Sequence, residues 1–192
     1  MRARVHTLAI ALVVAGLAAA TVPLSAAQLA GVTLPDTLQV DGHAFVLNGL
    51  GLRTKFFIKV YVGGLYLPQK NGSAPAILGG HLPWQMAFHF LHGVTRSELC
   101  DAWKEGLEDN TPDAPAAVQR NFALLCDWMG PIASGQTMTL TYLPDRGTGI
   151  EVNGAMKGTL TGPATAAAIL ASWIGPKPGP GRRFKQAVLG GH

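Results

Sequence analysis

Between Leu47 and Leu67 the chain reads LNGLGLRTKFFIKVYVGGLYL, and this stretch constrains the fold more than any other. Its alternation predicts a long strand, Lys55 to Pro68. One side of that strand is apolar (Phe56, Ile58, Val60, Val62); the other carries Lys55, Phe57, Lys59 and Tyr61. A glycine-punctuated turn ahead of the strand brings one arginine, Arg53, to its mouth. Gly63 and Gly64 then interrupt the alternation, and glycine inside a strand marks a bulge or a close backbone approach. A guanidinium and a phenol beside such an irregularity make a small anion site at the end of an apolar pocket. The plainer alternative is an exposed Arg at a hairpin turn and a half-buried Tyr in a sheet, an arrangement common enough to need a second line of argument.

The 192 residues suffice for one domain with a substantial core. Residues 1–27 do not count toward it. Arg2 and Arg4 precede an uninterrupted apolar run, Leu8 to Ala20, and Pro23 then leads into Ser25-Ala26-Ala27. That is the pattern of a secretory signal cleaved before Gln28, which implies a periplasmic or secreted protein. The apolar run is shorter than the roughly 20 residues a membrane-spanning helix needs, so no stable membrane anchor is expected after cleavage. Without Arg2 and Arg4 the 15 basic residues fall to 13, against 11 acidic ones. Four of those 13 lie in residues 177–192, a basic Pro/Gly-rich tail expected to have little order. The remaining body, residues 28–176, has no basic stripe interleaved with aromatics, which argues against nucleic acid as a partner.

A polar loop containing Asn71-Gly72 follows the long strand, and Trp84 to Leu91 has strand composition. Thr95 opens a helix with a capping box, Thr95-x-x-Glu98, and Leu99, Trp103 and Leu107 form its buried stripe. A second helix starts near Pro115 and buries Val118, Phe122, Leu125 and Met129. Gln136 to Leu143 alternates apolar residues with threonines, Asn153-Gly154 marks a primed hairpin turn, and Met156 to Leu160 completes that ribbon. Pro163 to Ile174 is the last helix, ended by Gly175 and Pro176. Six or seven strands, mostly hairpin-connected, with three principal helices make an α+β domain with an antiparallel sheet.

Cys100 and Cys126 fall on the two helices flanking the short turn at residues 110–114. At 1.5 Å per residue they stand at about the same height above that turn, so a disulfide is geometrically open to them. Two buried free thiols acting as small hydrophobes is the alternative. His89 and His92 would point to opposite faces of a strand, and no third residue at ligand spacing accompanies them, so no metal is expected. No P-loop, GxGxxG, GxSxG or CxxC motif occurs, and nothing implies a cofactor. The carboxylates Asp101, Glu105, Glu108 and Asp109 read as a solvated helix face.

The G-x-G-x-R segment, the K-V-Y-V strand and the G-x-L-Y-L ending resemble the bacterial chalcone-isomerase-like family. AWKEGL at 102–107, VNGAMKG at 152–158 and ILASWIGPKP at 169–178 continue the resemblance in the family's order. The resemblance implies an antiparallel sheet covered on one face by a layer of helices, an open-faced sandwich with a ligand cleft between the layers. In plant chalcone isomerases the matching Arg stabilises a phenolate during ring closure. In related plastid proteins that Arg, with a Tyr, holds a fatty-acid carboxylate. Arg53 matches the Arg, and Tyr61 is the best match for the second residue, although only eight residues separate them. The helix from Thr95 to Leu107 lacks the Tyr and Asn that plant enzymes carry there, which weakens the case for isomerisation more than the case for binding.

Three functional readings follow. The favoured one is a non-catalytic binder of a small amphipathic acid, such as a fatty acid, with Arg53 and Tyr61 as ligand-binding residues. The second is an intramolecular lyase closing a ring on a chalcone-like substrate, with the same two residues as its catalytic groups. The third is a structural or partner-binding periplasmic domain. A hollow apolar interior beneath Arg53 separates the first two from the third.

Overall fold

The computed structural model describes residues 26–191. The expected signal therefore lies outside the described residues, apart from Ala26 and Ala27. Those two begin a short strand, β1 (Ala26–Leu29), which pairs with β2 (Val32–Pro35) as a separate ribbon. The main sheet has seven antiparallel strands in chain order: β3 (Thr37–Val40), β4 (His43–Lys55), β5 (Ile58–Leu67), β6 (Trp84–Phe90), β7 (Thr137–Leu143), β8 (Gly147–Val152) and β9 (Ala155–Leu160). The helices are α1 (Ala74–Gly79), α2 (Arg96–Asn110), α3 (Ala116–Trp128), α4 (Pro163–Ile174) and α5 (Arg182–Val188). Among the described residues no helix is long and apolar enough to cross a membrane.

The main core lies between one face of the sheet and the helix layer, where Leu65, Met86, Leu140 and Ile150 meet Ile169 and Leu170 with almost no exposure. Helix α4 is buried at nine of its twelve positions, as an all-round apolar helix must be, and the other helices surround it. Across the sheet a smaller cluster of Phe45, Leu47, Tyr66 and Leu143 is partly covered by Ala27 of β1. The capping box that opens α2 is formed: the Glu98 amide donates to Thr95 Oγ1 at 3.2 Å and the Thr95 amide to Glu98 Oε2 at 2.8 Å. A disulfide joins Cys100 of α2 to Cys126 of α3, with Cα atoms 5.2 Å apart. The Asn153-Gly154 turn has positive φ at both residues, 51° and 71°, as a primed turn requires.

Two expectations are corrected. The turn of the Leu47–Leu67 stretch is not the glycine segment but Phe56-Phe57, both with positive φ (47° and 69°), so the expected long strand from Lys55 starts instead at Ile58. Arg53 is thus inside β4 rather than on a turn. The pairing slips by one residue at Val60, whose carbonyl takes the amides of Leu91 and His92, and this bulge breaks the simple alternation expected along the strand.

The glycines that suggested a turn have another cause. They leave room for the segment expected to have little order. Residues 182–188 form α5, which lies across β4 with Phe184 only 2% exposed. A Cβ on Gly51 or Gly63 would come within 2.7–2.8 Å of the Phe184 ring, and one on Gly49 would meet the Ala187 carbonyl. The bulge at Asn48 fixes the far end of α5. Its buried side-chain amide donates to the carbonyls of Val188 (2.8 Å) and Asn71 (3.0 Å) and accepts from the Asn71 amide (2.7 Å).

Candidate functional site

One end of the core is hollow. Between the sheet and the helices lies a cleft of about 490 Å³. Tyr61 of β5, Phe88 and Phe90 of β6 and Met138 of β7 form its sheet side. Leu99, Ala102 and Trp103 of α2 and Ser172 and Trp173 of α4 form its helix side. Its inner lining is chiefly aromatic and aliphatic, the usual make-up of a small-molecule site, while charged side chains (Arg53, Lys55, Glu98, Asp101 and Glu105) ring its mouth.

Arg53 and Tyr61 stand directly opposite each other in the β4–β5 ladder. The eight-residue separation is that of a tight hairpin with one bulge, so both side chains leave the same face and line the cleft. Arg53 sits at the rim, half-buried, and its Nη1–H donates to the Gly179 carbonyl just ahead of α5. A guanidinium has five N–H donors, and this contact occupies one.

Tyr61 lies deeper. Its ring meets Phe88, Phe90 and Phe184 edge-on at 5.2–5.7 Å between centroids. Its hydroxyl accepts from Trp173 Nε1 at 3.1 Å, and among the described residues nothing accepts the phenol's own proton. Burial pushes the Tyr61 pKa up to about 12, with the Trp173 hydrogen bond and then the Arg53 charge pulling the other way. The phenol is therefore neutral and keeps its proton for donation.

Two further polar groups near the hollow have no hydrogen-bond partner among the described residues: Trp103 Nε1 and Ser172 Oγ. Both are enclosed by packing rather than open to the cleft, with Ser172 Oγ against Gly106 of α2. Neither stood out from the sequence. Trp103 fitted the buried stripe of its helix, and Ser172 is one hydroxyl in an apolar run. The available signal was the indole N–H itself, which needs a partner whenever a Trp is buried. The carboxylates Glu98, Asp101 and Glu105 reach the outer rim from α2. His92 lies at the mouth beside Val94, whereas His89 pairs with Thr137 in the sheet, so the two histidines do not converge.

The family model described as chalcone isomerase-like matches residues 26–190. The chain belongs to the chalcone isomerase-like family. No curated relative matches the sequence. Among solved structures, a fatty-acid-binding protein of Arabidopsis thaliana superimposes with a TM-score of 0.67, covering 86% of this chain and 96% of that one at 16% identity. At that identity the likeness establishes the fold, an antiparallel sheet with helices on one face. What occupies the cleft must be argued from its residues.

Proposed function

We propose that the protein binds a small amphipathic acid, fatty-acid-like, with its chain in the aromatic cleft and its carboxylate between Arg53 and Tyr61. The observation that carries this reading is the pairing of these two donors, Arg53 at the rim and Tyr61 just inside it, over a hollow lined within by apolar side chains. A carboxylate there accepts charge-assisted bonds from the guanidinium and one from the neutral phenol, while the chain gains by leaving water. The structural neighbour, itself a fatty-acid-binding protein, supports the same ligand class. Ring closure is less well served. From α2 the cleft receives Leu99, Ala102 and Trp103, with Glu98, Asp101 and Glu105 at its outer rim, and neither the Tyr nor the Asn that the resemblance assigns to the plant enzymes' helix.

Titration with palmitic acid and its methyl ester tests this. Arg53→Ala weakens binding of the acid by about 1.5–3 kcal/mol, the range for hydrogen bonds to a charged group, and changes ester binding little. Equal affinity of the unaltered protein for acid and ester would reject the anchor.

Export belongs to the same proposal. Its support is the signal pattern of residues 1–27 together with the Cys100–Cys126 bond, of a kind that persists in oxidising compartments. The intact mass of the mature protein checks it: a chain starting at Gln28 is expected, and one retaining Met1 contradicts it.

A further inference from the structure

The tip of the β4–β5 hairpin has no role in the cleft chemistry described above, yet its composition is unusual. It reads Lys55-Phe56-Phe57-Ile58-Lys59. Phe56 is 85% exposed, Phe57 98% and Ile58 46%, three adjacent apolar side chains held in water. From Thr54 to Lys59 the ribbon has no third strand beside it: β6 begins to pair with β5 only at Tyr61, and β3 pairs with β4 only up to Val46. The tip therefore projects from the sheet. Both phenylalanines occupy the left-handed region, where Asn-Gly is the ordinary choice for a two-residue turn. Nothing in the fold requires phenylalanine here, and the backbone disfavours it. Strain of this kind is kept where the side chains serve a function.

We propose that this tip docks the protein on an anionic membrane surface, with Phe56 and Phe57 inserted at the headgroup level and Lys55 and Lys59 on lipid phosphates. Aromatic wedges flanked by lysines match the two layers of a bilayer interface, apolar within and negatively charged at the rim. Glu98, Asp101 and Glu105 on α2 share the cleft mouth and oppose close approach to an anionic surface, so the contact is confined to the projecting tip and α2 stands back from it. Arg53, Lys55, Phe56 and Ile58 all border the cleft mouth. Docking by the tip thus brings the mouth to the interface, the place from which an amphipathic acid enters or leaves. The proposal extends the reading of the cleft as an acid binder but is tested without any acid, so the two can fail separately.

The experiment is flotation of the protein with vesicles of phosphatidylcholine alone and of an equimolar phosphatidylcholine–phosphatidylglycerol mixture. The protein is expected to float with the mixed vesicles and much less with the neutral ones. Lys55→Gln with Lys59→Gln lowers partitioning into mixed vesicles about twenty-five-fold, from about fivefold per lysine near the surface. Phe56→Asn with Phe57→Gly gives the turn its preferred residues, so it keeps the fold and raises Tm. It should lower partitioning more than about tenfold. Three results would overturn the proposal: no flotation with either vesicle, flotation unchanged in the Asn-Gly variant, or a dimer of the unaltered protein that this variant converts to a monomer. The last would make a second copy the tip's partner.

Discussion

At the residue scale the proposed site rests on two donors of different kind. Arg53 supplies charge and several N–H groups; Tyr61 supplies one neutral O–H whose oxygen is already held by Trp173. Because burial raises the Tyr61 pKa to about 12, its ionisation does not affect binding near neutral pH. Tyr61→Phe is therefore expected to weaken palmitic acid by about 0.5–1.5 kcal/mol, less than Arg53→Ala, in the same titration. It also strands the Trp173 indole N–H, so a stability loss of about 1 kcal/mol should accompany it. A loss of binding larger than that of Arg53→Ala would make the phenol the principal anchor. The pair was legible in the sequence because a hairpin brings near neighbours together, whereas the alternation misassigned the faces: the bulge at Val60 puts Tyr61 with Arg53, and Lys59 on the other side. Trp103, Ser172 and Trp173 were not legible, because they reach the same cleft from helices far along the chain, where local pattern carries no register. Each looks like ordinary core until the core proves hollow.

At the element scale, legibility followed how local the cause of each element is. The Thr95–Glu98 capping box, the alternating strand β7 and the Asn153-Gly154 turn depend on residues within a few positions, and each forms where the pattern predicts. The hairpin of β4 and β5 was misplaced because its glycines and its turn have distant causes. Gly49 and Gly51 make room for α5, and the turn is made by two residues that normally avoid it. The cap also gives α2 a pH dependence. The backbone N–H of Thr95, then its hydroxyl, hold the Glu98 carboxylate below its usual 4.5, against a smaller opposing effect of desolvation. A carboxylate whose pKa is lower in the folded state stabilises fully above its unfolded pKa and loses that contribution as pH falls through the folded one. Glu98→Gln is thus expected to be less stable than the unaltered protein at neutral pH, the two converging in acid below the carboxylate range. Urea unfolding at a series of pH values measures this, and a gap that stays constant into acid would assign the effect to packing instead.

At the scale of the whole molecule, the chain's end completes the sheet that its first half lays down. Helix α5 fills the trough left by Gly49, Gly51 and Gly63. Asn48 holds its last carbonyl, that of Val188, and Lys185 Nζ donates to the Gly175 carbonyl at the end of α4, 2.8 Å away. Phe184 is the centre of this closure, since it fills the space over Gly51 and Gly63 and meets the ring of Tyr61. The polar, basic composition of residues 177–192 concealed this, because one buried Phe and one buried Val are too few to give a periodic signal. Phe184→Ala should cost about 3–5 kcal/mol, the range for emptying a buried aromatic site, whereas a tail of little order would lose almost nothing. Gly51→Ala should cost about 1–3 kcal/mol by overpacking against the same ring. The two changes concern one volume and are not independent. Combined, they should cost less than their sum by about 0.5–3 kcal/mol, because the added methyl enters space the ring has left. Chemical denaturation of the two single variants and the double variant measures the coupling. Additive costs would mean that Gly51 is required by the backbone of β4 rather than by the helix that closes over it.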